Sequence, residues 1–259
     1  KKELLDNKEA DKFYETSRKA FCRCGGSVIV ANLKGQWFID FNSKGWKEKA
    51  FDCLNRMDII PEIYKKQFET TFNWLDKRPV ARRRGIGTQL PFDKEWVIES
   101  LSDSTIYMTF YTIKNLINKF KIKPNQLTLS FFDYVFLGKG EGTKKSKELR
   151  EQFLYWYPVD SRHSATDLVR NHLAFFVFNH VALFEKPLWP KRIVTNGFVL
   201  MDGKKMSKSM GNILPLRDAI QEYGADVVRF SIVSGADIPQ DTDFSRSVAE
   251  GTKSRLEML

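Results

Sequence analysis

Cysteine is scarce: Cys22, Cys24 and Cys53 are the three in a chain of 259 residues. That number excludes the disulfide framework on which small secreted domains rely. Histidine is equally sparse, with His163, His172 and His180 all in the second half. No uninterrupted apolar run approaches the roughly 18 residues that a membrane-crossing helix needs, so no membrane partner is expected. The opening residues, KKELLDNKEADKFYE, are too charged for the apolar segment of a secretory signal, and a cytoplasmic address is the expectation. Acidic residues are outnumbered, 32 against 42 basic ones, and the net charge of +10 favours an anionic partner such as a nucleic acid. The basic residues cluster at Arg82-Arg83-Arg84 and Lys144-Lys145-Ser146-Lys147. Neither cluster is set in an RNA-recognition, zinc-finger or helix-turn-helix pattern, which argues against base readout by a small module.

What is present is a globular composition, 42% apolar and 14% aromatic, in a chain long enough for one large or two ordinary domains. Lys2 to Ala20 has the charge density of an exposed helix. Cys22-Arg23-Cys24 sets two thiols in one turn as C-x-C, with no second pair at useful spacing. Zinc there would need ligands from outside the chain; two buried thiols are the other reading. Ser27 to Asn32 and Gln36 to Phe41 read as a hairpin around Lys34-Gly35, with Trp37, Ile39 and Phe41 on one face. Trp46 to Met57 and Pro61 to Leu75 read as helices, the second opened by its proline. Ser102, Asp103 and Ser104 stand where they would cap an apolar helix running to Phe120. Phe131 to Leu137 is a core-forming insert, and Gly138 to Lys147 an exposed loop. Phe153 to Asp160 reads as a core strand, followed by a turn and the apolar helix Leu173 to Phe184. A strand, tight turn and helix in that order place ligands at the carboxyl end of a parallel sheet. Lys191 to Leu200 reads as strand and turn, and Pro215 to Tyr223 and Ala225 to Val233 as helices.

One stretch organises the chemistry: Met201 to Asn212, MDGKKMSKSMGN. Lys205 and Lys208, with Ser207 between them in a loop flanked by Gly203 and Gly211, can close over a polyphosphate and neutralise charge as it moves onto a leaving group. A solvated basic turn has the same composition, and composition alone leaves both readings open. Arg82, Arg83 and Arg84, followed by Gly85-Ile86-Gly87, suit a phosphate or an RNA end, or structural ion pairing. His172 and His180 lie on a largely apolar helix, where a satisfied core histidine is as natural as a ligand.

The order of these segments carries a resemblance. KMSKS resembles the second signature of the class I aminoacyl-tRNA synthetases, and Asn212-Ile213-Leu214-Pro215 and Tyr223 to Arg229 continue that family's pattern. WLDKRPVARRRGIGTQLP resembles the W…SRQRxWGxPIP segment of the branch handling leucine, isoleucine, valine and methionine. IESLSDSTIY and LSFFDYVFLGKG look like the leucyl enzymes of archaeal and eukaryotic type. SRHSATDLVRNH is similar to their SGKDLxPNH, with Ala165 in place of glycine and Thr166 in place of lysine.

The resemblance implies an α/β fold: the second half of a Rossmann-like catalytic domain with connective insertions and the start of an α-helical domain. It implies residues 1–21 as a helical strut returning from an inserted editing domain, and 22–152 as a connective and amino-acid-pocket region. Residues 153–236 would be the catalytic half with the lysine loop, and 237–259 the start of a helical tRNA-binding domain. Leu101, Ser104, Tyr107 and His172 would frame leucine. Asp167 and Ala165 would meet ATP's ribose and adenine, Lys205 and Lys208 the departing pyrophosphate, and Arg82, Arg83 and Arg84 the tRNA. ATP and Mg²⁺ are the implied cofactors, and tRNA(Leu) and leucine the implied partners. The first class I signature, His-Ile-Gly-His, is absent, so an N-terminal half of the catalytic domain is expected in cis or as a second subunit, and this segment alone is expected to be inactive. The rival reading is a synthetase-like paralogue that binds tRNA without forming adenylate, motivated by Ala165 and Thr166.

Overall fold

A computed structural model of the chain describes residues 2–22, 25–31, 34–207 and 211–258. Cys24 and Lys208 lie outside the described residues. The first helix, α1 (Lys2–Asp6), has no buried residue. The helix expected to reach Ala20 stops there because an isolated short helix without an apolar face to bury is not stable. Cys22 is exposed and disulfide-bonded, so the buried thiol expected at this position is not found; the buried free thiol is Cys53.

The expected hairpin is also replaced. Ser27 makes an isolated bridge to Phe21, whereas β1 (Phe38–Asp40) pairs antiparallel with β3 (Lys77–Pro79), across the helices between them. Those helices are α2 (Trp46–Arg56), which buries Ala50, Cys53 and Leu54, and α3 (Lys65–Trp74), which buries Phe68, Thr71 and Phe72. Each set follows the i, i+3, i+4 spacing of a single helix face. Between the two lies β2 (Asp58–Ile60). After β3 come β4 (Ala81–Arg82) and β5 (Val97–Ile98), an antiparallel pair, and then α4 (Ser100–Asp103).

The next layer is helical: α5 (Met108–Lys119), α6 (Leu129–Phe132) running into a π turn over Asp133–Leu137, and α7 (Lys144–Trp156). The first half of the strand expected at Phe153 to Asp160 is therefore the end of α7, and the rest is not strand. Phe153 is fully buried while Tyr155 and Trp156 are 77% and 56% exposed, the one-sided burial of a helix. The strand comes later and is polar: β6 (Arg162–Ala165), which pairs in parallel with β7 (Arg192–Asn196). Strand β7 pairs in parallel with β2 on its other side, giving the order β2-β7-β6. Between β6 and β7 runs α8 (Ala174–Leu183), buried almost all round.

The main core is aromatic and centres on α8. The Phe178 ring meets Phe41 at 5.1 Å, Phe72 at 5.0 Å and Trp46 at 5.4 Å, all edge-to-face, the arrangement favoured by ring quadrupoles. Trp46 Nε1 donates to the Phe178 carbonyl at 2.7 Å.

Beyond β7 the chain forms the hairpin β8 (Val199–Met201) and β9 (Lys204–Lys205), then α9 (Leu216–Tyr223), α10 (Ala225–Ser234), β10 (Thr242–Asp243) and α11 (Arg246–Glu257). Strand β10 pairs in parallel with β8, and a second core of Ala219, Tyr223, Val227, Val228, Phe244 and Ala249 holds this unit together. No helix among the described residues is long and apolar enough to cross a membrane.

Candidate active site

Two of the candidate segments leave the sheet where β6 and β7 end. Ala165 pairs with Asn196, the last residues of the two strands, so the turn carrying Asp167 and the hairpin carrying Lys205 leave the same carboxyl edge of the sheet. Asp167 is exposed in a 3₁₀ turn over Thr166–Leu168. Ala165 has φ −96° and ψ 156°, ordinary extended backbone, so the methyl replacing the family's glycine introduces no conformational strain.

The 3₁₀ turn runs into a π turn, Val169–Leu173, and then into α8. A π turn widens the helix by one residue, a device often found at functional sites. His172 lies in this turn, 4% exposed, and faces α4. Its Nδ1 is 3.1 Å from the Leu101 carbonyl and 3.4 Å from Ser104 Oγ. Its Nε2 is 3.1 Å from an Arg162 Nη2, while Arg162 Nη1 donates to the Tyr107 hydroxyl at 3.1 Å. Leu101, Ser104, Tyr107 and His172, separated by up to 71 positions, thus belong to one hydrogen-bonded cluster joined through Arg162. Burial above all pushes the His172 imidazole below its ordinary pKa; Arg162 acts in the same direction, and the Leu101 carbonyl and Glu99 oppose it.

Glu99, rather than Ser102 or Asp103, caps this part of the chain. Its carboxylate accepts from Leu101 N at 3.0 Å and Ser102 N at 3.1 Å, fixing the short α4 that carries Leu101. Asp103 accepts from Thr88 Oγ1 at 2.8 Å, which ties α4 to the loop between β4 and β5. Arg82 ends β4 and Arg83 and Arg84 open that loop, and the three differ. Arg82 is half-buried and donates to the Ile86 carbonyl at 3.0 Å; Arg83 lies 4.7 Å over the Trp96 ring; Arg84 is exposed. Gly87 leaves no room for a side chain, because an added Cβ would press on Val97.

The lysine hairpin is anchored at its root and at its tip. At the root, Gly197 N donates to the Ile238 carbonyl at 3.1 Å and Phe198 N to Asp241 Oδ1 at 2.7 Å. An added Cβ at Gly197 would collide with the Gln240 carbonyl, so only glycine fits. At the tip, Gly203 N donates to Asp243 Oδ1 at 2.7 Å, and past β9 the Asn212 side chain joins Lys205 to Ser207: its Nδ2 donates to the Lys205 carbonyl at 3.1 Å and its Oδ1 accepts from Ser207 N at 2.9 Å. Met206 turns inward and, with Val199, Leu214, Val228 and Phe244, lines an apolar cavity of about 190 Å³. The Lys205 ammonium sits 3.8 Å over the Phe198 ring, a cation–π contact at an exposed position. Among the described residues no group of three or more His, Cys, Asp or Glu could hold a metal ion, so they offer neither Mg²⁺ nor zinc a ready cluster.

Arg162, Asn212 and Glu99 are the site members that sequence reasoning did not single out. Arg162 opens a strand with no apolar pattern, and Glu99 works through backbone amides. Asn212 stands in the motif, but its contacts with Lys205 and Ser207 show only in the folded chain.

A family model described as tRNA synthetases class I (I, L, M and V) matches residues 5–245. The chain is similar to leucine-tRNA ligase 2 of Saccharolobus solfataricus, 52% identical over 96% of this chain and 27% of that protein. It is also similar to the leucine-tRNA ligase of Methanocaldococcus jannaschii, 48% identical over 100% of this chain and 29% of that protein. The chain therefore spans little more than a quarter of the length of these curated relatives. Among solved structures it resembles Mycobacterium tuberculosis methionyl-tRNA synthetase in complex with methionyl-adenylate, with a TM-score of 0.59, 20% identity, and coverage of 94% of this chain and 41% of that one. At that identity the likeness is one of fold.

Proposed function

Because the chain belongs to the class I tRNA synthetases of the isoleucine, leucine, methionine and valine group, we propose that the intact protein is a leucine-tRNA ligase and that this segment supplies half of its catalytic domain. Leucine's carboxylate attacks the α-phosphate of ATP and pyrophosphate departs, leaving leucyl-adenylate; a ribose hydroxyl of the terminal adenosine of tRNA(Leu) then takes the leucyl group and AMP leaves. In this reading Leu101, Ser104, Tyr107 and His172 frame leucine, Asp167 accepts from the ribose hydroxyls with Ala165 beside the nucleotide, and Arg84, the most exposed of its cluster together with Arg83, meets tRNA. Lys205 leaves its seat on Phe198 to follow charge onto pyrophosphate, with Lys208 expected to act beside it and Ser207 supporting the loop. Mg²⁺, when bound, would be held by the ATP phosphates and would offset their charge, and the described residues hold no ready cluster of ligands for it. The open edge of β6 supports a partner strand from another part of the protein, in cis or as a second subunit. The cytoplasmic address belongs to the same proposal.

The observation that carries the reading is the shared carboxyl edge: the Asp167 turn follows β6 and the lysine hairpin follows β7, from strand ends paired at Ala165 and Asn196. That is the geometry in which positioning and electrostatics alone can move a nucleotidyl group, without a general base. The test is leucine-dependent exchange of pyrophosphate into ATP by the full-length protein. Exchange with leucine, and far less with isoleucine, valine or methionine, is the expected result. Salt-sensitive tRNA binding without exchange would refute the reading in favour of a tRNA-binding paralogue.

A further inference from the structure

Arg162 is a cation with an unusual set of neighbours. It is half-buried and has no carboxylate within ion-pairing distance among the described residues. Its Nε is buried without a hydrogen-bond partner among them. Its two Nη atoms go to neutral groups of that cluster, His172 Nε2 at 3.1 Å and the Tyr107 hydroxyl at 3.1 Å, and the guanidinium carbon lies 5.7 Å from the Tyr107 ring centroid. Leaving a guanidinium uncompensated costs stability, so the arrangement calls for a role beyond packing.

The proton positions follow from the donor inventory. A guanidinium can only donate, so His172 Nε2 must accept; a carbonyl can only accept, so Nδ1 must carry the proton toward Leu101. Both ring nitrogens are thereby engaged, and the imidazole is neutral with a single tautomer. The Tyr107 hydroxyl, having accepted from Arg162, keeps its own proton for a further acceptor.

We propose that Arg162 is a positioning residue of the amino-acid pocket: its two-pronged donation locks His172 as the neutral Nδ1–H tautomer and turns Tyr107 so that its hydroxyl proton faces the bound substrate. His172 then works as a rigid uncharged wall, not as an acid, a base or a cationic ligand. A protonated imidazole here would need Nε2 to donate toward a guanidinium that also only donates, which the geometry forbids. The charged and titratable groups that face the ring are Arg162 from β6, Glu99 from the head of α4 and Tyr107 ahead of α5. Of these, Glu99 favours the protonated ring and Arg162 opposes it.

The pocket role rests on the leucine-tRNA ligase reading; the tautomer does not. Two-dimensional ¹⁵N–¹H correlation of the imidazole in this chain, followed across pH 5–8, reads the tautomer directly. The expected result is one Nδ1–H form that stays neutral below the ordinary histidine range, replaced in Arg162→Met by mixed tautomers and earlier protonation on lowering the pH. Arg162→Lys keeps the charge but not the fork, and is expected to keep the ring neutral while mixing its tautomers. If Arg162→Met does not fold, Tyr107→Phe frees one prong and is expected to broaden the His172 signals. An Nε2–H form in the unsubstituted chain, or signals indifferent to Arg162→Met and Tyr107→Phe, would overturn the proposal. In the full-length protein, Arg162→Lys is expected to raise KM for leucine about ten-fold with kcat changed much less, as for lost ground-state positioning. An equal fall in kcat with KM unmoved would refute the positioning role. Absence of leucine-dependent exchange in the unsubstituted protein, with the NMR result intact, would refute the enzymatic reading and leave the tautomer assignment standing.

Discussion

His180, eight residues beyond His172 on the same helical run, makes a sharp counter-case, because its burial should appear as an acid limit on stability. It is fully buried, its Nδ1 donates to the Phe176 carbonyl at 2.7 Å, and its Nε2 accepts from the Tyr157 hydroxyl at 2.7 Å. The Phe176 ring lies 4.2 Å away and the Tyr157 ring stacks at 5.9 Å. Burial lowers its pKa from 6.5 to about 4, against the smaller opposing effect of the Phe176 carbonyl. The folded pKa is thus below the unfolded one, so between the two the unfolded chain binds a proton that the native chain does not. Stability rises with pH across this window and is lost as pH falls through it. The slope is about 1.4 kcal/mol per pH unit for one proton. From pH 6.5 to 5, above most carboxylate titration, His180 alone should remove about 1.6 kcal/mol, the unfolded ring being only half protonated at the upper limit. Urea unfolding at half-unit pH steps, followed by tryptophan fluorescence, measures this directly. His180→Gln, which cannot bind the proton, should lose that slope while being less stable at neutral pH. A variant whose stability falls as steeply as the parent's between pH 6.5 and 5 would refute the assignment of the effect to His180.

Two further outcomes follow from packing and loop closure. Phe178→Ala should cost about 3–5 kcal/mol by the same unfolding measurement, since its ring joins Phe41, Phe72 and Trp46 in one cluster; a loss under about 1 kcal/mol would mean that the core is not organised around it. Asn212→Ala removes both hydrogen bonds that join Lys205 to Ser207. In the full-length protein it should slow pyrophosphate exchange about ten-fold or more with little change in KM for leucine, and a change confined to KM would contradict the loop's role in the transition state.

Several features were legible in the residues because they depend on local order. The helix faces of α2, α3 and α5 follow from apolar spacing, the lysine loop from its glycines and alternating cations, and the resemblance from segments in register. The family reading and the α/β class followed from these, and the matches over residues 5–245 agree with them. Other readings failed where pairing overrode pattern. Phe153 to Asp160 looked like a core strand because it is apolar, yet α7 buries only one face of it, while the polar Arg162–Ala165 became the strand because β7 offered it a parallel ladder. The hairpin expected before Phe41 was lost for the same reason, its second arm taken by Lys77–Pro79.

By itself, the order of residues determined which side chains could do chemistry: two lysines in a glycine-flanked loop, a carboxylate in a turn and an aliphatic-lined segment rich in hydroxyls. Only the tertiary structure decided which of them meet. His172 and Leu101 are 71 positions apart and share a hydrogen bond, and the other nitrogen of the ring meets an arginine contributed by β6. Two histidines of one helical run therefore differ, one braced beside a cation and the other sealed among aromatic rings. The physical reason is that solvation and proton position depend on what packs around a group in space, which neighbours in sequence do not specify.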